Sequence, residues 1–272
     1  MISLSTLQKY KAEGTKFSCL TCYDATMAKA MEIAQIDTIL IGDSLGMTVQ
    51  GHDSTLPVTV QDIAYHTRAV RRGNQHALII ADLPFMTYST ISDAIAAARQ
   101  VMQAGAQMVK LEGGAWLADT VRVLAQGGIP SCVHLGLTPQ SVNVFGGYKV
   151  QAKTRSAADQ LLADCEAVIE AGASMLVLEC VPVKAAQEVQ ARFGVPVIGI
   201  GAGKYCDGQV LVVQDMLGLN FGKPARFVRN FLKDQLHGQQ GDNPIVEAFK
   251  SFHQAVRHGE YPAPEHTFQI DL

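Results

Sequence analysis

Four acidic residues stand where an apolar run of this sequence stops. Asp43 follows such a run in "TILIGDSLG", Asp82 in "LIIADLP", Glu112 in "MVKLEGG" and Glu179 in "MLVLECVP". The runs are rich in Val, Ile, Leu and Met without alternation, which is typical of parallel strands that are covered on both faces. Because parallel strands end at one common rim, the pattern predicts that these four side chains share one site.

Carboxylates that share a site predict a cation. Two unit charges about 4 Å apart repel each other by about 4 kcal/mol at an effective dielectric constant of about 20. Asp43, Asp82 and Glu112 would therefore either take up protons or bind a metal ion, and their oxygen donors are typical of Mg²⁺. Taken singly, each acid could instead cap a helix or pair with Lys110.

Lys110, His134 and Glu179 are the other candidates. Lys110 lies two residues before Glu112, so both project to one side of a strand, and the lysine would anchor an anionic substrate group or only balance the charge of Glu112. His134 ends the next predicted strand and would donate to a substrate oxygen or be structural. Glu179 would be the general base, a fourth metal ligand or a supporting acid.

Regularly spaced elements must position these residues. Helical patterns end at four glycines that are predicted to be left-handed helix caps: Gly105, Gly127, Gly172 and Gly194. The seventh residue after each glycine ends the following predicted strand: Glu112, His134, Glu179 and Gly201. Helix starts are predicted at three capping boxes, which begin at Thr59, Thr90 and Ser156.

Eight such units predict a (β/α)8 TIM barrel formed as a single domain by residues 1–272. A helix over about residues 4–12 would cap the barrel floor, and two C-terminal helices would begin near Pro224 and Pro244. A doubly wound open sheet is the competing architecture. The spread of polar residues over at least five strand ends favours the closed barrel, because only closure brings all of them together.

Composition and charge exclude several classes of function. The chain has 272 residues, a formal net charge of -3 and a pI near 6.2, so no basic field attracts nucleic acid or an anionic membrane. No apolar run approaches the length of a membrane span, and the first residues lack the pattern of a signal peptide. We therefore expect a cytoplasmic protein that acts on small molecules.

Two local patterns receive weaker interpretations. The glycines of "GIGAGK" (199–204) match neither a dinucleotide-binding nor a phosphate-loop motif, and they are predicted to let the backbone approach a ligand. The segment "FGGYKVQ" (145–151) is predicted to be either a lid over the site or a surface loop.

Longer stretches of the chain resemble one family, ketopantoate hydroxymethyltransferase, also called 3-methyl-2-oxobutanoate hydroxymethyltransferase. The resemblance spans nearly the whole chain and rests on these segments: "IGDSLGMTVQGHDSTLPVT", "ADLPFM", "MVKLEGG", "HLGLTPQSVNVFGGYKVQ", "LVLECVP", "PVIGIGAG" and "EHTF". It implies a barrel like those of the phosphoenolpyruvate/pyruvate superfamily. It also implies transfer of a hydroxymethyl group from 5,10-methylenetetrahydrofolate to 2-oxoisovalerate through a Mg²⁺-stabilised enolate, in pantothenate and coenzyme A synthesis.

The resemblance also implies roles for individual residues. Asp43 and Asp82 fall on the metal-binding acids of the family, and Glu112 on a third acid associated with the metal. Among the substrate-binding positions, which include Asp43 and Asp82 themselves, Ser44 and Lys110 would contact the oxo acid. The proton acceptor of the family falls on Glu179. The family further implies a homo-oligomer, commonly a decamer.

Two alternatives from other classes stay open at this point. A Mg²⁺-dependent C–C lyase of the same superfamily would share the metal and the enolate but would need no folate. A non-catalytic metal-binding scaffold would keep its function when Glu179 is removed.

Overall fold

The computed structural model describes residues 1–235 and 243–272. Eight parallel strands form a closed barrel in sequence order, and β1 pairs with both β2 and β8. The strands are Phe17–Thr21 (β1), Thr38–Ile41 (β2), Leu78–Asp82 (β3), Met108–Glu112 (β4), Ser131–Gly136 (β5), Met175–Glu179 (β6), Val197–Ile200 (β7) and Gly208–Leu211 (β8). The predicted barrel is confirmed, and the open sheet is excluded by the pairing of the first and last strands.

Helices follow the strands and cover the barrel. The α-helices are Leu4–Glu13 (α1), Ala25–Ile33 (α2), Leu45–Thr48 (α3), Val60–Gly73 (α4), Ile91–Gln103 (α5), Ala118–Gln126 (α6), Val142–Phe145 (α7), Arg155–Glu170 (α8), Val183–Arg192 (α9), Val213–Met216 (α10), Phe231–Gln235 (α11) and Pro244–Arg257 (α12). Short 3₁₀ helices span Ala115–Leu117, Pro139–Ser141 and Pro264–His266. None of the helices in the described ranges is both long enough and apolar enough to cross a membrane.

The two-residue period of a strand explains how this barrel builds its site. One layer of side chains, one from each strand, fills the barrel interior: Cys19, Leu40, Ile80, Lys110, Cys132, Val177, Ile198 and Val210. The residues two positions further along the chain line the cavity at the carboxyl ends of the strands: Thr21, Gly42, Asp82, Glu112, His134, Glu179, Ile200 and Val212. Three of the four acids, Asp82, Glu112 and Glu179, belong to this second layer, whereas Asp43 comes one residue after its member Gly42.

The ends of the chain close the other side of the barrel. Helix α1 covers the floor as predicted, since Lys11 Nζ lies 2.9 Å from Asp207 Oδ2 immediately before β8. Helix α12 begins at Pro244 as predicted. The helix predicted near Pro224 was wrong, because α11 begins only at Phe231. There Asn230 supplies the capping oxygen, which accepts from Lys233 N at 2.9 Å.

The left-handed conformation predicted for the four glycine caps was wrong at two of them. Gly105 and Gly172 have φ of 116° and 112°, as predicted for the ends of α5 and α8. After α6 the positive φ of 78° belongs to Gly128, whereas Gly127 has φ of −77°. Gly194 also lacks a positive φ, because α9 ends in the extended residue Phe193.

Two of the three predicted helix starts are confirmed, and the third was wrong. Thr59 forms the full capping box of α4, and the Thr90 side chain accepts from Asp93 N at the start of α5. The box predicted at Ser156 was wrong, since Thr154 caps α8 by accepting from Ala157 N. Ser156 lies inside the helix.

Aromatic packing joins α12 to the rest of the fold. Phe252 is fully buried, and its ring meets that of Phe231 edge-on at 5.4 Å. Phe252→Ala is expected to lower the free energy of unfolding by about 4 kcal/mol, because it removes buried contacts and leaves a cavity. Urea unfolding at one protein concentration measures this change. Phe221→Ala is the matched control, since Phe221 is fully exposed, and an equal loss in both variants would contradict the packing argument.

Candidate active site

A cavity of about 590 Å³ lies at the carboxyl ends of the strands. Every residue predicted for the site lines it: Asp43, Ser44, Asp82, Lys110, Glu112, His134 and Glu179. The structure thus brings together acids that are separated by up to 136 positions in the sequence, from 43 to 179.

Asp43 and Asp82 form the buried acidic floor of the cavity. The backbone N–H of Asp43 donates to Asp82 Oδ2 at 3.0 Å, and both side chains are almost fully buried. Lys110 Nζ lies 2.9 Å from Asp82 Oδ1, but the approach is outside hydrogen-bond geometry, so that oxygen is buried without a hydrogen bond. Burial, followed by the neighbouring charges of Asp82 and Glu112, raises the pKa of Asp43 well above its usual range.

This floor fits a divalent cation. Asp43 and Asp82 are two adjacent buried carboxylates, and Lys110 Nζ, 2.9 Å from Asp82 Oδ1, pairs with only one of them, so a further cation would stabilise this site. Within residues 1–235 and 243–272, no three His, Cys, Asp or Glu side chains surround one common point. The protein would therefore offer two carboxylates, which suits Mg²⁺ because that ion usually keeps water or substrate oxygens in its other positions.

Glu112 is already surrounded by donors. Its Oε1 lies 3.3 Å from Lys110 Nζ and 3.2 Å from His134 Nδ1, and its Oε2 accepts from Gln140 N at 2.9 Å. Burial alone would raise its pKa, but the charges of Lys110 and His134 outweigh that effect and hold the pKa at about 2. Glu112 therefore serves as the fixed anion that balances two buried cations.

His134 bridges Glu112 and Glu179. Its Nε2 lies 3.3 Å from Glu179 Oε2, outside hydrogen-bond geometry, while its other nitrogen faces Glu112. Burial would lower the pKa of His134, but the charge of Glu112 outweighs it and raises the pKa to about 9. With both nitrogens protonated, His134 directs one N–H to Glu112 and keeps the other, on Nε2, available for a ligand.

Glu179 is the most accessible acid of the site, with 14% of its side chain exposed. Its backbone is held closely by β5, since a Cβ at position 136 would lie only 2.4 Å from Glu179 O. Gly136 has a φ of 86°, so this position requires glycine for both reasons. The carboxylate is thereby fixed at the rim, facing the cavity.

Ser44 stands beside Asp43 at the start of α3. Its Oγ lies 2.8 Å from Tyr23 OH, and Tyr23 is itself 5% exposed. The hydroxyl is thus oriented by a buried phenol rather than by capping α3, where its side chain makes no capping bond.

Sequence reasoning gave no role to Gln140, which the structure places at the centre of the site. Its Nε2 donates to Asp43 Oδ2 at 2.8 Å and to Leu83 O at 3.0 Å. Its Oε1 lies 2.5 Å from Tyr88 OH. The stretch "LTPQS" that contains Gln140 was part of the family resemblance, but a single amide in a loop carries no pattern that reveals its partners.

The outer part of the cavity is apolar and ends at two cations. Tyr148 and Val150, from the predicted lid segment, line it together with Phe268. Lys223 and Arg226 are exposed at the mouth, and neither lies within 4 Å of a carboxylate in the described parts of the chain. The Arg226 guanidinium lies 5.3 Å from the Phe268 ring centroid.

Solved structures with the same architecture are distant in sequence. Phosphonopyruvate hydrolase in complex with oxalate and Mg²⁺ superposes with a TM-score of 0.62 at 12% identity, covering 80% of this chain and 84% of that one. 2,3-Dimethylmalate lyase, a PEP mutase/isocitrate lyase superfamily member, gives a TM-score of 0.58 at 15% identity, covering 78% and 81%. These structures share the fold alone, which places this chain in the class of (β/α)8 barrels, with an acidic site at its mouth.

Sequence relatives define the family within that class. The family model for ketopantoate hydroxymethyltransferase matches residues 1–264. The 3-methyl-2-oxobutanoate hydroxymethyltransferase of Acinetobacter baumannii (strain AYE) is 70% identical over 100% of both chains. That of Psychrobacter sp. (strain PRwf-1) is 63% identical over 98% of this chain and 100% of its own. The chain belongs to the ketopantoate hydroxymethyltransferase family of enzymes.

Proposed function

We propose that this chain transfers a hydroxymethyl group from 5,10-methylenetetrahydrofolate to 2-oxoisovalerate, giving ketopantoate and tetrahydrofolate with the uptake of one water. Family membership supports the reaction class. The observation that carries the chemistry is a partly exposed carboxylate, Glu179, in the same cavity as the buried pair Asp43 and Asp82. One acid is free to move a proton while the other two are suited to hold a cation.

Asp43 and Asp82 would hold Mg²⁺, and Glu112 would reach it only through water, because its oxygens already face Lys110, His134 and Gln140. When bound, the ion supplies a Lewis acid for the ketone and carboxylate oxygens of the oxo acid. The three-acid ligand set expected from the sequence is thus proposed in a modified form, with two direct ligands.

Lys110 and Ser44 would bind the substrate carboxylate. Lys110 is 4% exposed and faces the cavity between Asp82 and Glu112. The surrounding carboxylates outweigh the effect of burial and raise the pKa of Lys110 well above its usual range. The ammonium therefore stays charged and presents a fixed positive end for an anion.

Glu179 would act as the base that takes the proton from C3 of the oxo acid. As the C–H bond breaks, its electron pair moves toward the ketone oxygen, and the proton stays on Glu179 until it leaves to solvent. His134 Nε2 lies 3.3 Å from Glu179 Oε2 without a hydrogen bond, and its N–H would donate to the oxygen on which charge develops. C3 then forms a bond to the methylene carbon of the folate, both C–N bonds of that carbon break, and water supplies the hydroxyl group while the two folate nitrogens each gain a proton.

The folate would occupy the outer, apolar part of the cavity. Its aromatic rings suit the surface formed by Tyr148, Val150 and Phe268. Its glutamate carboxylates would then extend to the exposed cations Lys223 and Arg226 at the mouth. This placement uses both features of the mouth, the apolar walls and the positive charge of Lys223 and Arg226.

The double variant K223E/R226E is expected to raise the KM for methylenetetrahydrofolate about fivefold at low salt, because two exposed ion pairs contribute about 1 kcal/mol together. The KM for 2-oxoisovalerate should not change. K184E/K204E is the matched control, since it reverses the same number of exposed charges outside this cavity. Equal folate KM values in both double variants would exclude the proposed placement.

The reaction itself is tested by assaying the purified chain for ketopantoate. Formation should require 2-oxoisovalerate, methylenetetrahydrofolate and a divalent cation together, and it should stop in EDTA. The absence of ketopantoate when all three are present would contradict the proposal. The homodecamer stays a prediction from the family resemblance, and the cytoplasmic location stays a prediction from the sequence.

A further inference from the structure

Gln140 makes four hydrogen bonds to residues in and around the site, although the reaction as described assigns it no step. It is 5% exposed and lies in the turn after β5, at a 3₁₀ helix that spans Pro139–Ser141. Its backbone N–H donates to Glu112 and its side chain donates to Asp43. One residue thus links the candidate metal ligand to the anion that balances Lys110 and His134.

The partners of Gln140 determine which way its amide points. The Gln140 Nε2 faces the Leu83 carbonyl, which can only accept, and an oxygen of Asp43. On the other side, Oε1 faces the hydroxyl of Tyr88, which can donate. A reversed amide would place its oxygen against the Leu83 carbonyl oxygen. Tyr88 therefore holds Gln140 in a single orientation, and the amide in turn holds Asp43.

The hydrogen bond from Gln140 restricts the orientation of the Asp43 carboxylate. Gln140 engages Oδ2 at 2.8 Å, so the carboxylate cannot rotate freely and its other oxygen is left for a ligand in the cavity. Ligating carboxylates are commonly fixed by such outer hydrogen bonds, and the loss of one lowers metal affinity by about 10- to 100-fold.

We propose that Gln140, locked by Tyr88, is a positioning residue that orients Asp43 for binding a divalent cation. The inference rests on the proposed metal site at Asp43 and Asp82. The turn that carries Gln140 leads directly into α7, after which Tyr148 and Val150 line the outer part of the cavity.

The test is direct Mn²⁺ binding to the substrate-free protein, followed by electron paramagnetic resonance of the free ion. Gln140→Met keeps the side-chain length and the backbone donor but removes both Nε2 donations, and it should raise the Mn²⁺ dissociation constant about tenfold. Tyr88→Phe should raise the Mn²⁺ dissociation constant less, because Gln140 remains but loses the hydrogen bond that fixes its orientation. In turnover assays, Gln140→Met should raise the half-saturating Mg²⁺ concentration more than it lowers kcat at saturating Mg²⁺.

Gln209→Met is the matched control. Gln209 is 3% exposed and donates to Gly203 O, with no contact to the acids, so it should cost stability without changing Mn²⁺ affinity. Unchanged affinity in Gln140→Met, or an equal loss in the Gln209→Met control, would overturn the positioning role. If Gln140→Met does not fold, an affinity unchanged in Tyr88→Phe overturns it instead. Failure of the unchanged chain to bind Mn²⁺ would refute the metal site itself, a different outcome.

Discussion

Glu179→Gln is expected to slow the exchange of the C3 proton of 2-oxoisovalerate with solvent deuterium by about 10³-fold. The amide keeps the shape of the side chain but cannot accept the proton, while the floor formed by Asp43, Asp82 and Lys110 is untouched. Proton nuclear magnetic resonance follows the loss of the C3 signal with Mg²⁺ and enzyme but without folate. The measurement thus isolates proton removal from hydroxymethyl transfer.

The control for this experiment is another glutamate to glutamine change. Glu188 lies on α9, where it pairs with Arg155 on the surface, so Glu188→Gln should exchange at the rate of the unchanged chain. Exchange that persists in Glu179→Gln would remove the assigned base. The base would then be another group of the cavity.

Asp43→Asn has the second large expected effect, and its two consequences point in opposite directions. Loss of one of two direct ligands should weaken Mg²⁺ binding, measured by calorimetry, by at least about 100-fold, and abolish turnover. In EDTA, the same variant should melt at a higher temperature than the unchanged chain. The pKa of Asp43 is raised in the fold, first by burial and then by Asp82 and Glu112, so its ionised form opposes folding at neutral pH.

The sign of the second effect follows from proton linkage. A carboxyl whose folded pKa exceeds its unfolded value binds more protons in the folded state, so stability falls as the pH rises above the unfolded pKa. Asparagine removes that loss of stability. In EDTA, the difference in melting temperature between Asp43→Asn and the unchanged chain should therefore grow as the pH rises from 4 to neutral.

Asp37→Asn provides the contrast. Asp37 is equally buried, but it accepts from Ser18 N at 2.9 Å and pairs with Arg257 at 2.6 Å near the barrel floor. Its replacement should lower stability and leave Mg²⁺ affinity unchanged. A stability loss in Asp43→Asn in EDTA, comparable with that of Asp37→Asn, would show that the two buried acids serve the same structural role.

Much of the fold was predictable because it rests on short-range regularities. A run of apolar residues that ends in an acid, repeated after glycine-terminated helices, locates the rim of a parallel barrel without any knowledge of distances. The same logic placed Lys110 and Glu112 on one side of β4. The residue that ends a helix with a positive φ was harder to predict where two glycines are adjacent, as at Gly127 and Gly128, because either glycine can adopt that conformation.

The partners of individual residues were not predictable. The sequence treated Glu112 as equivalent to Asp43 and Asp82, whereas the structure surrounds it with Lys110, His134 and the backbone of Gln140. That difference depends on a register across β3, β4 and β5 and on a turn far along the chain. Gln140 itself is invisible to periodicity, because its importance lies wholly in its contacts.

The central claim is that Asp43 and Asp82 bind one divalent ion at the mouth of the barrel. Anomalous diffraction from crystals soaked in Mn²⁺ and 2-oxoisovalerate tests this claim most directly. One anomalous peak is expected, with an oxygen of each aspartate at about 2.0–2.2 Å from the Mn²⁺ ion and Glu112 beyond direct contact with it. Density for Mn²⁺ that is bound elsewhere in the cavity, or held by only one of these two aspartates, would contradict it.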